Sequence, residues 1–305
     1  MKILKRYSTV KANRSFSQRR PIRSSRIYSA EETEEKDTEQ KSDDDTEFGD
    51  PTDINVSEDT EEAFEQLVSM LRDTSFEELG DALEDIVQDD KLYALFSEGF
   101  GDGELASVTM SSEPTAIPVA QLLPTQSEIG LDNSLSFPLS QDCTSYFKDV
   151  VQIVAPIVTY RKIFVIDGHH RWSQLYMINP DAKISAINFN YKDKSPWRAL
   201  RNFQGAVAVA KKDVPKSYNR VNNVYDMSEE QIEKYVDDNI SDACWKSLVK
   251  AGVCDDRDSA IDYIVGNVMD LKQGNYPFEG APDREFMPQT DEKSIKIAEE
   301  GQTDI

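Results

Sequence analysis

Residues 156–178 read PIVTYRKIFVIDGHHRWSQLYMI, and this stretch decides the fold of the central part of the chain. Two runs rich in β-branched and aromatic residues, 156–160 and 163–166, are separated by two residues only, which predicts a tight β-hairpin. Residues 172–178 suit a helix that follows the hairpin. The order strand, strand, helix therefore predicts a small mixed α/β unit at this point.

The segment between the second strand and the helix contains both histidines of the chain, in the order Asp167, Gly168, His169, His170, Arg171. The first NH groups of a helix lack internal acceptors and can bind an anion. Gly168 allows a close backbone approach or a positive φ. Arg171 offers a planar fork for a phosphate or carboxylate, and both histidines can donate to the same anion. The residues from Gly168 to Arg171 are therefore the predicted phosphate-binding loop.

Alternative interpretations of this loop stay open at the level of sequence. Asp167 can orient a histidine or help to hold a divalent cation through its water shell. Asp167 can equally cap the helix, while Arg171 pairs with an acid and the histidines fill space. A metal site made by the two histidines is not predicted, because adjacent residues diverge and no third nitrogen ligand exists.

Composition narrows the class of protein. The chain has 305 residues, a formal net charge of -23 and 38% hydrophobic residues, below the roughly 45–50% of an ordinary globular protein. No apolar run approaches the roughly 18–20 residues that span a bilayer, so we expect a soluble protein. The acidic balance disfavours direct binding to duplex DNA. The cysteines Cys143, Cys244 and Cys254 form no CxxC pair, which favours a reducing compartment and argues against zinc.

The first part of the chain has a block-like charge pattern. Residues 1–29 carry nine basic residues and no acid. The residues from Glu31 to about Glu62 are instead predominantly acidic. Such blocks repel themselves, so residues 1–57 are predicted to be a disordered arm. The arm is either a solvated tail or a removable segment. Residues 26–29 resemble a mitochondrial processing site, and residues 29–31 resemble sites cut by phage head-maturation proteases.

Helical patterns flank the central unit. Residues 58–100 form a predicted acidic helical segment, in which Ser75-x-x-Glu78 is a capping box, and this segment suits a protein partner. Residues 193–272 form a second predicted helical segment, with a cap at Ser228-x-x-Gln231 and Gly252 placed as the αL residue after a helix. Residues 273–305 are dense in Pro, Gly and charge and are predicted to be an irregular tail.

Residues 116–191 resemble the ParB/sulfiredoxin superfamily. Residues 117–124, IPVAQLLP, are similar to its entry box, the hairpin with DGHHR is similar to its phosphate-binding loop, and residues 183–187 are similar to its closing strand. The resemblance implies a domain over residues 115–192 and an α+β fold. A small mixed-sheet core would then carry helical N- and C-terminal segments and the disordered arm.

Departures from the family pattern select a branch. Sulfiredoxins have a cysteine where this chain has His169, so sulfiredoxin activity is not expected. Chromosome-partitioning ParB proteins continue into a basic helix-turn-helix, whereas the helices that follow here are acidic. The loop looks most like those of free-serine kinases and of ParB-like proteins of phages and bacteria. In the kinase branch an acid just after the entry proline acts as a base, which makes Glu128 the candidate by position. An exposed loop glutamate is the alternative.

The resemblance implies binding of a nucleotide (ATP or CTP) with Mg²⁺, or of another phosphorylated small molecule. A phosphotransferase or nucleotide hydrolase would use Glu128, Asp167 and His169 as catalytic residues. One rival function is that of a phage-encoded accessory or virion-associated protein with a non-catalytic domain. Another is a ParB-like nuclease, which needs a basic track for its substrate. The expected location is the cytoplasm of a bacterial or phage-infected cell, or the virion, with the mitochondrial matrix as the alternative.

Overall fold

The computed structural model describes residues 60–98, 109–111, 113–191, 195–216, 222–303 and 305. These residues fall within a single unit of the chain, Thr46–Ile305. The predicted disordered arm, 1–57, lies outside the described residues, as does most of the glycine- and serine-rich stretch that follows residue 98.

The predicted hairpin is present, and each of its two strands pairs with a further strand of the sheet. Strand β5 (Ile157–Tyr160) runs antiparallel to β6 (Phe164–Asp167), with a register shift after Val158. Arg161 and Lys162 both have positive φ, 54° and 57°. Positive φ at both central residues matches the right-handed twist of the two strands, as in a type I′ turn. Three residues, 161–163, connect the strands, one more than the sequence predicts, and the NH of Ile163 donates to the carbonyl of Tyr160 at 3.1 Å to close the turn.

Strand β7 (Lys183–Asn190) is the central strand of a mixed sheet. It pairs in parallel with β5 and with β4 (Val150–Val151), and antiparallel with β2 (Thr115–Pro118) and β1 (Thr109–Met110). Beyond the hairpin, β3 (Leu123–Pro124) runs parallel to β6. The predicted closing strand thus lies inside the sheet, where it pairs with β5, the first strand of the hairpin.

Both faces of the sheet are buried, because successive side chains of a strand point to opposite sides. Ile157 and Val165 pack into one core, here the loop-side core, while Val158, Phe164 and Ile166 pack into the other, here the second core. This arrangement explains why the hairpin strands read as continuous apolar runs rather than as alternating ones.

Helices cover the two faces separately. The second core is covered by α1 (Thr60–Arg72), α2 (Phe76–Gln88), α3 (Asp90–Glu98), α6 (Pro196–Lys211) and α10 (Glu292–Glu299). The loop-side core is covered by α4 (Leu131–Leu139), α5 (His169–Ile178), α7 (Glu229–Asn239), α8 (Asp242–Lys250) and α9 (Arg257–Gly274). The mixed α and β composition agrees with the predicted fold class. None of the helices in the described ranges is long and apolar enough to cross a membrane.

Local signals in the flanking segments are confirmed. Ser75 and Glu78 form the reciprocal capping box of α2, and Ser228 and Gln231 form that of α7. Gly252, which follows α8, has φ 77°. These features depend on residues three or four apart, and a short stretch of sequence therefore specifies them.

The last stretch of the chain differs from its prediction. Residues 273–305 contain a 3₁₀ turn, Arg284–Phe286, and the helix α10. α10 begins at a capping box made by Asp291 and Ser294, and Ile297 and Ala298 are buried in the second core. Eight residues are too few for a helix to be stable by itself, so packing against α6 stabilises it.

Candidate functional site

A cavity of about 300 Å³ opens at the start of α5. One wall is the predicted loop, residues 167–171. The other wall comes from the end of the chain, with Arg284 and residues 287–290, and Gln126 completes the lining. Two regions more than one hundred residues apart therefore build one site.

The loop joins β6 to α5 as the sequence predicts. Gly168 has φ 93° and is the N-cap of α5, and its carbonyl accepts from the NH of Trp172 at 2.9 Å. A Cβ atom at this position would lie 2.6 Å from Cγ2 of Ile157, inside the contact limit. Only glycine therefore fits both the backbone conformation and the space beside β5. The helix begins at His169, three residues before the predicted start.

The guanidinium of Arg171 is engaged in hydrogen bonds with other residues of the chain. Its Nη1 donates to the carbonyls of Ala155 and Pro156, each at 3.0 Å, and its Nη2 donates to Oδ2 of Asp167 at 3.0 Å. The pairing with an acid that the alternative interpretation expected is thus present. Arg171 still lines the cavity, and its predicted contact with a phosphate stays a prediction.

Asp167 is the acceptor that connects the two walls. Its Oδ2 accepts from Arg171 and also from the hydroxyl of Thr290, at 3.0 Å. Burial raises the pKa of Asp167, while the charge of Arg171 and the hydrogen bonds from Thr290 and from the NH of Gly168 act in the opposite direction. The carboxyl group is therefore already engaged before any ligand enters.

His169, the first residue of α5, lines the cavity but is buried, and it is held neutral. Its Nε2 accepts from the NH of Thr125 at 3.0 Å, and the hydroxyl of Thr125 donates to the carbonyl of Val165. Burial, together with the positive charge of His170, lowers the pKa of His169 to about 3. An imidazole in this state fixes the loop that follows β3 against the end of β6.

His170 lies beside the other wall of the cavity. Burial and the positive charge of Arg284 lower the pKa of His170 to about 4. Within the described part of the chain, its Nε2 is buried and has no hydrogen-bond partner, and the same holds for Nη1 of Arg284. Both residues line the cavity. Two buried polar atoms from different regions are thus left unpaired at one site, which is unusual in a folded protein.

Glu128 contacts the wall of the cavity that contains Arg284 but does not itself line the cavity. Its Oε2 accepts from the backbone NH of Arg284 at 3.2 Å, and Glu128 is not among the residues that line the cavity. Burial lowers the pKa of the Arg284 side chain, while the negative charges of Glu128 and Asp132 raise it. The structure thus places Glu128 next to the site, and the predicted role of general base is untested.

The C-terminal wall is attached at several points, and we call residues 282–290 the cover segment. The NH of Ser127 donates to the carbonyl of Pro282 at 2.9 Å, and its hydroxyl donates to Asp283. The contacts of Arg284 with Glu128 and of Thr290 with Asp167 complete the attachment. No sequence motif marks these residues, because their partners lie more than one hundred positions earlier in the chain.

The described residues offer little to a divalent cation. Nowhere in them do three or more His, Cys, Asp or Glu residues form a group that could hold a metal ion. Among the residues around the cavity Asp167 alone is acidic, and one of its oxygens already accepts two hydrogen bonds. Mg²⁺ usually needs one or two carboxylates in addition to phosphates. Asp167 alone is a sparse donor set for Mg²⁺, and the Mg²⁺ that the resemblance implies stays a prediction.

No family model, curated protein or solved structure matches this chain. The resemblance to the ParB/sulfiredoxin superfamily therefore depends on the residues quoted above and stays a proposal.

Proposed function

We propose that this protein binds a ligand with a phosphate group, a nucleotide or another phosphorylated small molecule, in the cavity at the start of α5. One observation carries the proposal. His170 and Arg284 line the same cavity, and Nε2 of His170 and Nη1 of Arg284 are buried without a partner among the described residues. A buried polar atom without a partner costs about 1–3 kcal/mol. An anion that accepts from both atoms would recover that free energy.

The resemblance adds a second argument. The DGHHR sequence matches the phosphate-binding loop of the ParB/sulfiredoxin superfamily, and Gly168 brings the start of α5 to the cavity. The first NH groups of a helix favour an anion through their unpaired donors and the helix dipole. Helix NH groups, an imidazole and a guanidinium together supply donors from several directions to one phosphate.

Charge alone would not bring an anion to this site. Arg171 is paired with Asp167, Arg284 lies near Glu128 and Asp132, and the whole chain has a net charge of -23. Long-range attraction is therefore weak, and binding depends on hydrogen bonds made at short range. We expect a slow, selective association rather than a general affinity for anions.

The size of the cavity limits what it can enclose. Pockets for small molecules have volumes of roughly 300–1,000 Å³, and this cavity is at the lower end of that range. A phosphate group and part of the molecule attached to it would be enclosed. The base of a nucleotide would extend beyond the cavity.

Catalysis by Glu128, Asp167 and His169 remains a prediction. A general base must reach the proton that it removes, and the carboxylate of Glu128 instead accepts from the NH of Arg284. Turnover would require Glu128 to leave this contact or to act through a water molecule. Binding is therefore the function that the geometry supports best.

Thermal shifts of the full chain test the proposal, with inorganic phosphate, sulfate, AMP, ATP and CTP as probes, each with and without Mg²⁺. A probe at one hundred times its dissociation constant should add about 2.7 kcal/mol of stability. Arg284→Met should weaken binding about 10- to 100-fold, the equivalent of about 1.5–3 kcal/mol for a hydrogen bond to a charged group. This substitution removes the guanidinium but keeps the backbone NH that contacts Glu128.

Arg257→Met is the matched control, because Arg257 begins α9 and pairs with Asp237 at the surface. It should bind every probe as the unmodified protein does. The proposal fails if none of the probes stabilises the protein. It fails equally if Arg284→Met and His170→Ala bind a stabilising probe with unchanged affinity.

A further inference from the structure

Two of the three cysteines meet in the loop-side core. Sγ of Cys143 lies 3.6 Å from Sγ of Cys244, although the two residues are 101 positions apart. Both thiols are free and fully buried. Cys143 directly precedes the 3₁₀ turn Thr144–Phe147, and Cys244 lies in the first turn of α8. Their separation in sequence gave no sign of this pairing.

The backbones on both sides of the sulfurs are also joined. The NH of Ser241 donates to the carbonyl of Leu139 at 2.8 Å, and the NH of Cys143 donates to the hydroxyl of Ser247 at 2.8 Å. These hydrogen bonds hold the turn after α4 against α8 just before and just after Cys244. The short distance between the sulfurs therefore follows from how two backbone segments pack and not from one side-chain rotamer.

We propose that Cys143 and Cys244 form an intramolecular disulfide when the protein meets a thiol oxidant of the small-molecule disulfide class. The sulfurs must approach from 3.6 Å to about 2.05 Å, which small side-chain rotations and a slight shift of the turn supply. The pair is thus a modification site, distinct from the cavity at α5.

The reaction is thiol–disulfide exchange in two steps. One protein thiol loses its proton and attacks a sulfur of oxidised glutathione, which forms a mixed disulfide and expels one glutathione thiolate. The second protein thiol loses its proton and attacks the protein sulfur of the mixed disulfide, which expels the other glutathione thiolate. The two protons pass to the two leaving thiolates. Two protein thiols are oxidised, and one disulfide is reduced to two thiols.

Access to the pair requires a local opening. The side chains of Ser140, Asp142 and Thr144 are exposed, so the turn that carries Cys143 lies at the surface. Such a turn can open while the helices around it stay folded. Both thiols are fully buried, and oxidation should therefore be slow under native conditions.

The disulfide would fix the turn that contacts α5. Gln174 of α5 donates to the hydroxyl of Tyr146, and Asn179 donates to the carbonyl of Tyr146 at 2.9 Å. A cross-link across 101 positions also restricts the unfolded chain, and long loops gain the most from this effect. The oxidised protein should therefore melt at a higher temperature than the reduced one.

The test uses the full chain with Cys254→Ser, so that Cys143 and Cys244 are its only thiols. After incubation with oxidised glutathione, thiols are counted in denaturant and peptides are analysed by mass spectrometry. Both thiols should be lost without retained glutathione, and the peptides that contain residues 143 and 244 should be linked. The melting temperature should rise by several degrees and return to its starting value after treatment with dithiothreitol.

The double variant Cys143→Ala/Cys254→Ser is the matched control, and it should show neither a linked peptide nor a rise in melting temperature. If this variant does not fold, the Cys254→Ser protein decides the question by itself. Two thiols that stay free after prolonged exposure would overturn the proposal. Glutathione adducts alone, or disulfides between two chains alone, would also overturn it.

Discussion

The hydroxyl of Thr290 donates a hydrogen bond of 3.0 Å to Oδ2 of Asp167, across 123 positions of the chain. The same oxygen accepts from Nη2 of Arg171 at 3.0 Å. A single carboxylate oxygen therefore joins β6, α5 and the cover segment. The shape of the cavity depends on this connection, because both of its walls meet at Asp167.

Thr290→Val should loosen the cover segment. Valine keeps the shape of the threonine side chain and removes one hydrogen bond to a carboxylate, which is worth about 1.5–3 kcal/mol. We expect amide exchange across residues 284–303 to become about 10- to 100-fold faster, because local opening becomes easier by that free energy. Hydrogen exchange measured by mass spectrometry checks this. An equal acceleration in α9 would show global destabilisation instead and would contradict the prediction.

Arg171→Ala should lower the stability of the ligand-free protein. The substitution removes three hydrogen bonds and leaves Asp167, whose side chain is 24% exposed, without its cation. We expect a loss of about 1–3 kcal/mol in the free energy of unfolding, measured with urea. Arg257→Ala is the control, since its ion pair with Asp237 is exposed and should be worth about 0.2–1 kcal/mol. Equal losses in the two variants would show that Arg171 has no special structural role.

Gly168→Ala should be far more costly than Gly252→Ala. Both glycines have positive φ, 93° and 77°, a conformation that costs an alanine about 1–2 kcal/mol. Only at Gly168 would the added Cβ also meet Ile157, at 2.6 Å, whereas at Gly252 nothing lies within 4 Å. The clash should add about 1–3 kcal/mol. Urea unfolding of both variants gives the comparison, and equal losses would mean that β5 shifts freely to admit the methyl group.

The buried histidines should make the protein sensitive to acid. Burial lowers the pKa of His169 to about 3 and of His170 to about 4, whereas an unfolded histidine titrates near about 6.5. Between these values the unfolded state binds more protons. The free energy of unfolding should therefore be highest above about pH 6.5 and fall below it, by up to about 1.4 kcal/mol per pH unit for each histidine.

Urea unfolding from about pH 7.5 down to about pH 5 measures this slope. His170→Gln should reduce it, since one of the two titrating groups is gone, while carboxylates affect both proteins alike. An unchanged slope in the variant would mean that His170 titrates as it does in the unfolded chain.

The sequence by itself determined the features that depend on near neighbours. A short connection between apolar strands specifies the hairpin, and a glycine between a strand and a helix specifies the loop. The capping boxes of α2 and α7 and the αL residue after α8 follow in the same way. Each of these features is fixed by backbone sterics or by hydrogen bonds over three or four residues. The types and the order of a few neighbouring residues therefore suffice to predict these features.

Only the tertiary structure decided which distant residues meet. It placed Arg284 and Thr290 against the DGHHR loop, put the carboxylate of Glu128 on a backbone NH, and brought Cys143 to Cys244. It also ordered α10, a helix too short to form by itself, by packing it on α6. The physical reason is that such contacts form when two cores bury their apolar faces. Their geometry depends on the whole fold, and no local pattern in the sequence encodes it.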